Sequence, residues 1–228
     1  MTGNNKEPKE KHLLHPKAAA GGSDSTLHMV QMAMLVAISS ILVFACFPII
    51  PAAPFLKYDM ADVPILMSAM SMGAPAGMIV LIIASAIQAF LFGHDGPIGF
   101  LMHVIASGVL ILTARGVYLL GHKSNVSKIL GLILGSLAMA AVMIPLNFIF
   151  TPKVMMDVPI AQAAAIFWQG LTGGYDPAAF SEVTVTAYET VKALLLVGLI
   201  PFNLLKAGLN CAIFYGVDKA LPRLIKKK

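Results

Sequence analysis

Three polar side chains stand inside an otherwise apolar stretch, "LIPFNLLKAGLNCAIFYG", residues 199–216: Asn203, Lys206 and Asn210. Spacings of three and four put them on one face of a helix. Continued outward, that face reaches Leu199, Leu196, Lys192 and Glu189. A lysine within a bilayer costs from about 2.5 to more than about 10 kcal/mol, so it faces a bundle interior, a cavity or a partner charge. Three readings follow: Lys206 lines a cavity, closes a structural ion pair, or snorkels to the inner interface. The amides one turn to either side favour the cavity. They offer donors and acceptors without charge, which suits a neutral ligand with several hydrogen-bonding groups.

Asn147, in "IPLNFIF", is a second intramembrane amide. Alone it reads as helix–helix glue; facing the stripe of the last helix it becomes a second wall. The loop "PAAPFLKYDMADVP" offers Tyr58, Asp59 and Asp62 at the mouth. Asp62 reads rather as the N-cap of the helix beginning "VPILM", with Pro64 in its first turn. His94 and Asp95 fall in a Gly–Pro turn, and His103, one turn inside a helix, faces either the cavity or, the favoured reading, a neighbouring helix. Trp168 reads as an interfacial anchor, and the methionines as adaptable packing. Cys46 and Cys211 lie in apolar spans and read as packed thiols.

The elements that must position these residues are membrane helices. The chain is 58% hydrophobic and 12% charged, against about 45–50% and about 25% in soluble domains. Several apolar runs exceed the roughly 18 residues that a crossing needs. Spans are expected at about 28–50, 61–92, 100–120, 129–150 and 188–217, with residues 151–186 as a long connection. The second run is too long for one crossing and breaks at "GAPAG", residues 73–77, which gives six helices. Lys and Arg concentrate on the cytoplasmic side. With both termini inside, 12 of the 16 basic residues are cytoplasmic, while Asp59, Asp62, Asp95, Asp157, Asp176, Glu182 and Glu189 map outside. The expected organisation is an all-α membrane protein. It comprises a disordered tail at 1–27, a six-helix domain at 28–221 and a basic tail at 222–228.

This composition leaves no room for a water-soluble catalytic domain. The sequence has no phosphate-binding glycine loop, Cys/His cluster or Ser–His–Asp signature, so no enzyme, metal or cofactor is expected. None of the eleven acids lies deep in an apolar span, which argues against an ion-coupled pump. The net charge of +5 reflects topology and contact with anionic lipid; the basic clusters lack interleaved aromatics, so no nucleic acid is expected.

The segment "FPIIPAAPFLKYDMADVPILMSAMSMGAPAG", followed far downstream by "IPFNLLKAGLN", resembles the riboflavin-binding substrate subunits of energy-coupling factor (ECF) transporters. The resemblance covers about residues 30–221. It implies a six-helix subunit of a bacterial inner membrane, with both termini cytoplasmic, that captures riboflavin outside. Reorientation and release inside would be driven by a transmembrane coupling subunit and two ATPase subunits, the vitamin being cargo. By motif, Asn203, Lys206 and Asn147 match ligand-contacting residues. The segment around Leu56, Tyr58 and Asp59 matches the part that closes over the ligand. Ala33 and Ala37, in "AMLVA", match small residues that contact the coupling subunit; Asn210 has no matching role. Rival readings are a subunit for another vitamin, such as folate or thiamine, and a membrane scaffold without a small ligand.

Overall fold

A computed structural model describes residues 20–49, 56–91 and 96–220. The expected tail at 1–19 and 222–228, the prolines of the loop at 51–54, and His94 and Asp95 lie outside the described residues.

Helix α1 spans Ala20–Leu42. It starts eight residues before the apolar run, inside the segment expected as a disordered tail. Apolar content marks where a membrane begins, whereas backbone hydrogen bonding runs on through the polar residues before it. A two-residue ribbon follows, in which β1 (Phe47–Pro48) pairs antiparallel with β2 (Lys57–Tyr58). Helix α2 (Asp62–Met72) ends at Gly73, whose φ of 112° is open to glycine and strained for other residues. Helix α3 (Ala74–Ala86) restarts at once with Pro75 in its first turn. The break at "GAPAG" is therefore real.

Helix α3 runs into a π-helical turn, Ile87–Leu91. Helix α4 is Gly96–Leu120, and α5, Asn125–Met156, starts behind a Ser124 cap. The expected long connection at 151–186 instead holds the last turns of α5, an amphipathic helix α6 (Ile160–Thr172) and the first turn of α7 (Glu182–Leu194). Pro152 does not end α5, because the helix carries it buried and closes at Asp157 in the left-handed conformation. Helix α7 passes through a second π turn, Leu195–Leu199, into α8 (Ile200–Ala220).

Among the described residues, five continuous helical stretches are long and apolar enough to cross a membrane; α2, at 11 residues, is a shorter apolar helix. Their outward side chains are large and apolar, including Leu91, Leu196 and Ile41 at 66–75% exposure. So broad an apolar surface suits lipid and not water.

One core joins α2, α3, α4, α5 and α8 around Ile65, Leu66, Leu81, Leu110, Ile111 and Phe214. A second, aromatic cluster joins α5, α6 and α7 around Phe148, Ile166, Tyr188, Val191 and Leu199. Helices α4 and α5 approach closely because Gly131 and Gly135 face the α4 backbone. A Cβ at either position would come within 2.5–2.8 Å of the carbonyl oxygens of Ala114 and Leu110.

Candidate ligand-binding site

Helix α8 carries Asn203, Lys206 and Asn210 on its inward face, with Asn203 3% and Asn210 0% exposed. The expected outward extension of that face holds at Leu199, which is 2% exposed, and fails beyond it. Leu196 is 75% exposed, and Lys192 pairs with Glu189 at the surface. The π turn at 195–199 adds a residue to the turn, so the buried outer face becomes Thr184, Ala187, Tyr188 and Val191.

The segment between β2 and α2 folds onto this face. Lys206 Nζ lies 2.8 Å from Asp59 Oδ2, with both side chains nearly buried. The ion pair, one of three readings open for Lys206, is the one formed. It is compatible with a ligand contact, since an ammonium has three N–H donors. The other carboxylate oxygen of Asp59 accepts from the Ala61 backbone N–H at 3.0 Å, which fixes its orientation. Tyr58 is 4% exposed and donates its hydroxyl to Asn210 Oδ1 at 2.9 Å. Burial raises the Tyr58 phenol above its ordinary value; the charge of Asp59 adds to this and Lys206 opposes it. Tyr58 is thus held as a donor.

Asp62 is no N-cap. The N-cap position is Ala61, without a side-chain cap bond, and Asp62 is a 1%-exposed member of the first turn. Its Oδ1 accepts from Ser107 Oγ at 2.6 Å and faces His103 Nε2 at 3.2 Å, while Oδ2 accepts from Asn210 Nδ2 at 3.3 Å. His103 Nδ1 in turn meets Ser85 Oγ at 2.9 Å. Local sequence favoured capping because Asp–x–Pro opens many helices, but donors arriving from α4 and α8 outcompete the local bond. The acids expected in an outer loop are consequently buried: Asp59 and Asp62 sit inside the bundle. His103 and Ser107, four apart on an apolar helix, are the sequence signal that could have found this cluster. His103 packs against a neighbouring helix as expected, through a carboxylate.

Asn147 is 3% exposed, and its amide is turned to its own helix. Nδ2 donates to Met143 O at 2.7 Å, and Oδ1 accepts from Thr151 Oγ1 at 3.0 Å. Asn203 likewise donates to Leu199 O at 2.7 Å. These two amides are not hydrogen-bonded to each other; each stands beside a member of the aromatic cluster, Phe148 and Leu199. Leu56 packs against that cluster, where Phe148 stacks on Phe167 with ring centroids 5.0 Å apart. The expected site residues thus divide in two. Tyr58, Asp59 and Lys206 form a polar group, Leu56 and Asn147 border an aromatic one, and Asn203 lies at their junction.

Other features fit less well as a site for a polar ligand. A groove of about 420 Å³ between α5 and α8 is lined by Ile133, Leu137, Ala212 and similar side chains, with too few polar groups to orient a ligand. Cys46 and Cys211 are free thiols, and no group of three or more metal-ligating side chains occurs among the described residues. Trp168 on α6 is 63% exposed. Ala33 and Ala37 both face outward on α1.

The family described as "ECF transporter, substrate-specific component" matches residues 27–217. The riboflavin transporter RibU of Staphylococcus aureus (strain TCH60) is 28% identical over 200 residues, covering 87% of this chain and 92% of that protein. The riboflavin transporter FmnP of Bacillus subtilis (strain 168) is 26% identical over 190 residues, covering 82% and 87%. The solved S component of a bacterial ECF transporter superposes with a TM-score of 0.63 at 25% identity, covering 89% of this chain and 99% of that one.

Proposed function

Because the chain belongs to the substrate-specific components of ECF transporters, we propose that it is a riboflavin-binding member of them. In this reading it is a multi-pass protein of the bacterial cell membrane with six crossings, α2 and α3 being separate ones, and both termini cytoplasmic. It takes up the vitamin outside and releases it inside, together with a transmembrane coupling subunit and two ATPase subunits. It performs no chemistry on its cargo.

One observation carries the site assignment. The two segments that resemble riboflavin subunits, 147 residues apart, meet at the Asp59–Lys206 contact of 2.8 Å. Riboflavin has a polar imide edge with one donor flanked by acceptors, and a flat ring system with apolar faces. Asn203 and Lys206 are suited to the edge, because an amide and an ammonium together supply donors and an acceptor. Leu56 and the aromatic residues beside Asn147 are suited to the ring faces. Asp59, 2.8 Å from the ammonium, holds it in place.

The test is titration of riboflavin into purified, ligand-free protein, followed by flavin fluorescence. The expected result is stoichiometric binding with strong quenching, and yellow protein on purification from cells. Colourless protein that leaves added riboflavin fluorescent would overturn the reading, and binding of folate or thiamine in its place would reassign the vitamin.

A further inference from the structure

Asn147 and Asn203 each donate to a carbonyl four residues back on their own helix. Asn210 does otherwise. Its side chain is fully buried, and three of its bonds go to one short segment about 150 residues away. Oδ1 accepts from the Tyr58 hydroxyl at 2.9 Å, and Nδ2 donates to the Asp59 carbonyl at 3.2 Å and to Asp62 Oδ2 at 3.3 Å. Only a primary amide can accept from a phenol while donating to a carbonyl and a carboxylate. Asp62 is held from the opposite side by Ser107 and His103 of α4. Residues 58–62 are thus fixed between α8 and α4, and the Asp59 carboxylate is delivered to Lys206 one turn from Asn210.

We propose that Asn210 is a positioning residue for the ligand site: it sets how long riboflavin stays bound by fixing Tyr58 and Asp59 against α8, without touching the ligand. The inference rests on the riboflavin reading above. At 0% exposure, behind Tyr58 and Asp59, Asn210 has no surface left for a ligand. Its effect must pass through those two residues and therefore show as coupling with them.

The experiment is stopped-flow measurement of riboflavin association and dissociation in detergent-solubilised protein. The parent, Tyr58→Phe, Asn210→Leu and the double variant are compared. Tyr58→Phe deletes only the hydroxyl that Asn210 accepts; Asn210→Leu keeps the heavy-atom count and the branch at Cγ and deletes all three bonds. Dissociation is expected to accelerate about 2- to 10-fold in Tyr58→Phe and about 5- to 30-fold in Asn210→Leu, with association nearly unchanged. The double variant should match Asn210→Leu alone, since the hydroxyl has already lost its partner. Multiplying rate effects in the double variant would mean that the two residues act separately, and would overturn the proposal. An unchanged dissociation rate in Asn210→Leu, whatever its melting temperature, would reduce Asn210 to a packing residue. Should Asn210→Leu fail to fold, the pair Tyr58→Phe and Asn210→Ser decides on the same terms. A parent protein that binds no riboflavin removes the ligand reading itself; a parent that binds it, with variants unaltered, removes only the role of Asn210.

Discussion

Asp59 and Lys206 are 7% and 13% exposed, so removing Lys206 leaves the Asp59 carboxylate buried without its ion-pair partner. Such pairs contribute little net stability, because desolvation offsets the attraction, yet breaking one by removing a single partner is costly. Lys206→Met keeps the aliphatic stem and orphans the carboxylate. It should destabilise the ligand-free protein by about 3–5 kcal/mol and weaken riboflavin binding. Adding Asp59→Asn should restore most of the stability and none of the affinity, since the ligand still lacks its cationic donor. Thermal melting of ligand-free protein, paired with riboflavin titration on both variants, separates the two effects; recovery of affinity in the double variant would show that Lys206 serves structure alone. The helical period made the shared face of Asn203, Lys206 and Asn210 legible in sequence. What lies across that face carried no periodic signal, because the segment that supplies Tyr58 and Asp59 follows a proline-rich stretch; the family resemblance, and not a helical pattern, brought those residues to the site. Asp62 was misread for a related reason: a capping rule sees three neighbours in sequence and cannot see Ser107 or His103.

At the scale of elements, legibility followed the strength of local backbone signals. The break between α2 and α3 was readable because glycine and proline punctuate it, whereas the two π turns carry no such mark. The one at 195–199 rotated the outer half of the last helix away from its expected face. The start of α1 was missed and the presence of α6 was left open, because a hydropathy reading detects lipid contact and not helical hydrogen bonds. Two glycine substitutions test the backbone argument. Gly73→Ala places a side chain at a φ of 112°, a strain of about 1–3 kcal/mol. Gly131→Ala would bring a Cβ to 2.5 Å from the Ala114 carbonyl and force α4 and α5 apart. Both should lower the melting temperature of the ligand-free protein. Gly116→Ala, with open space around its Cβ, should leave it unchanged or raise it slightly, because alanine favours helix. Equal melting of the Gly131 and Gly116 variants would mean that close approach of α4 and α5 is not needed.

For the molecule as a whole, the proposed function assigns binding and coupling to different surfaces. The site joins α8 to the segment before α2, whereas Ala33 and Ala37 lie on α1, where Met34, Ile38 and Ile41 are also exposed. The inward face of α1 is already engaged: Val36 packs in the main core, and Ser39 donates to the Ala61 carbonyl at 2.8 Å. Small residues four apart on the outward face let another helix approach closely, and in the proposed transporter that helix belongs to the coupling subunit. Replacing both with leucine adds bulk only to the outward face and disturbs neither the Ser39 bond nor any residue of the polar cluster. Ala33→Leu with Ala37→Leu should therefore abolish riboflavin uptake by cells. Riboflavin affinity and melting temperature of the purified subunit should stay within about twofold and about 0.5 kcal/mol of the parent, as for surface substitutions generally. Uptake in cells, titration of the purified subunit, and recovery of the coupling complex by affinity pull-down report on the three steps separately. If uptake persists, coupling uses another surface. If binding is lost while the fold is retained, α1 lines the ligand site, and the division between the two surfaces does not hold.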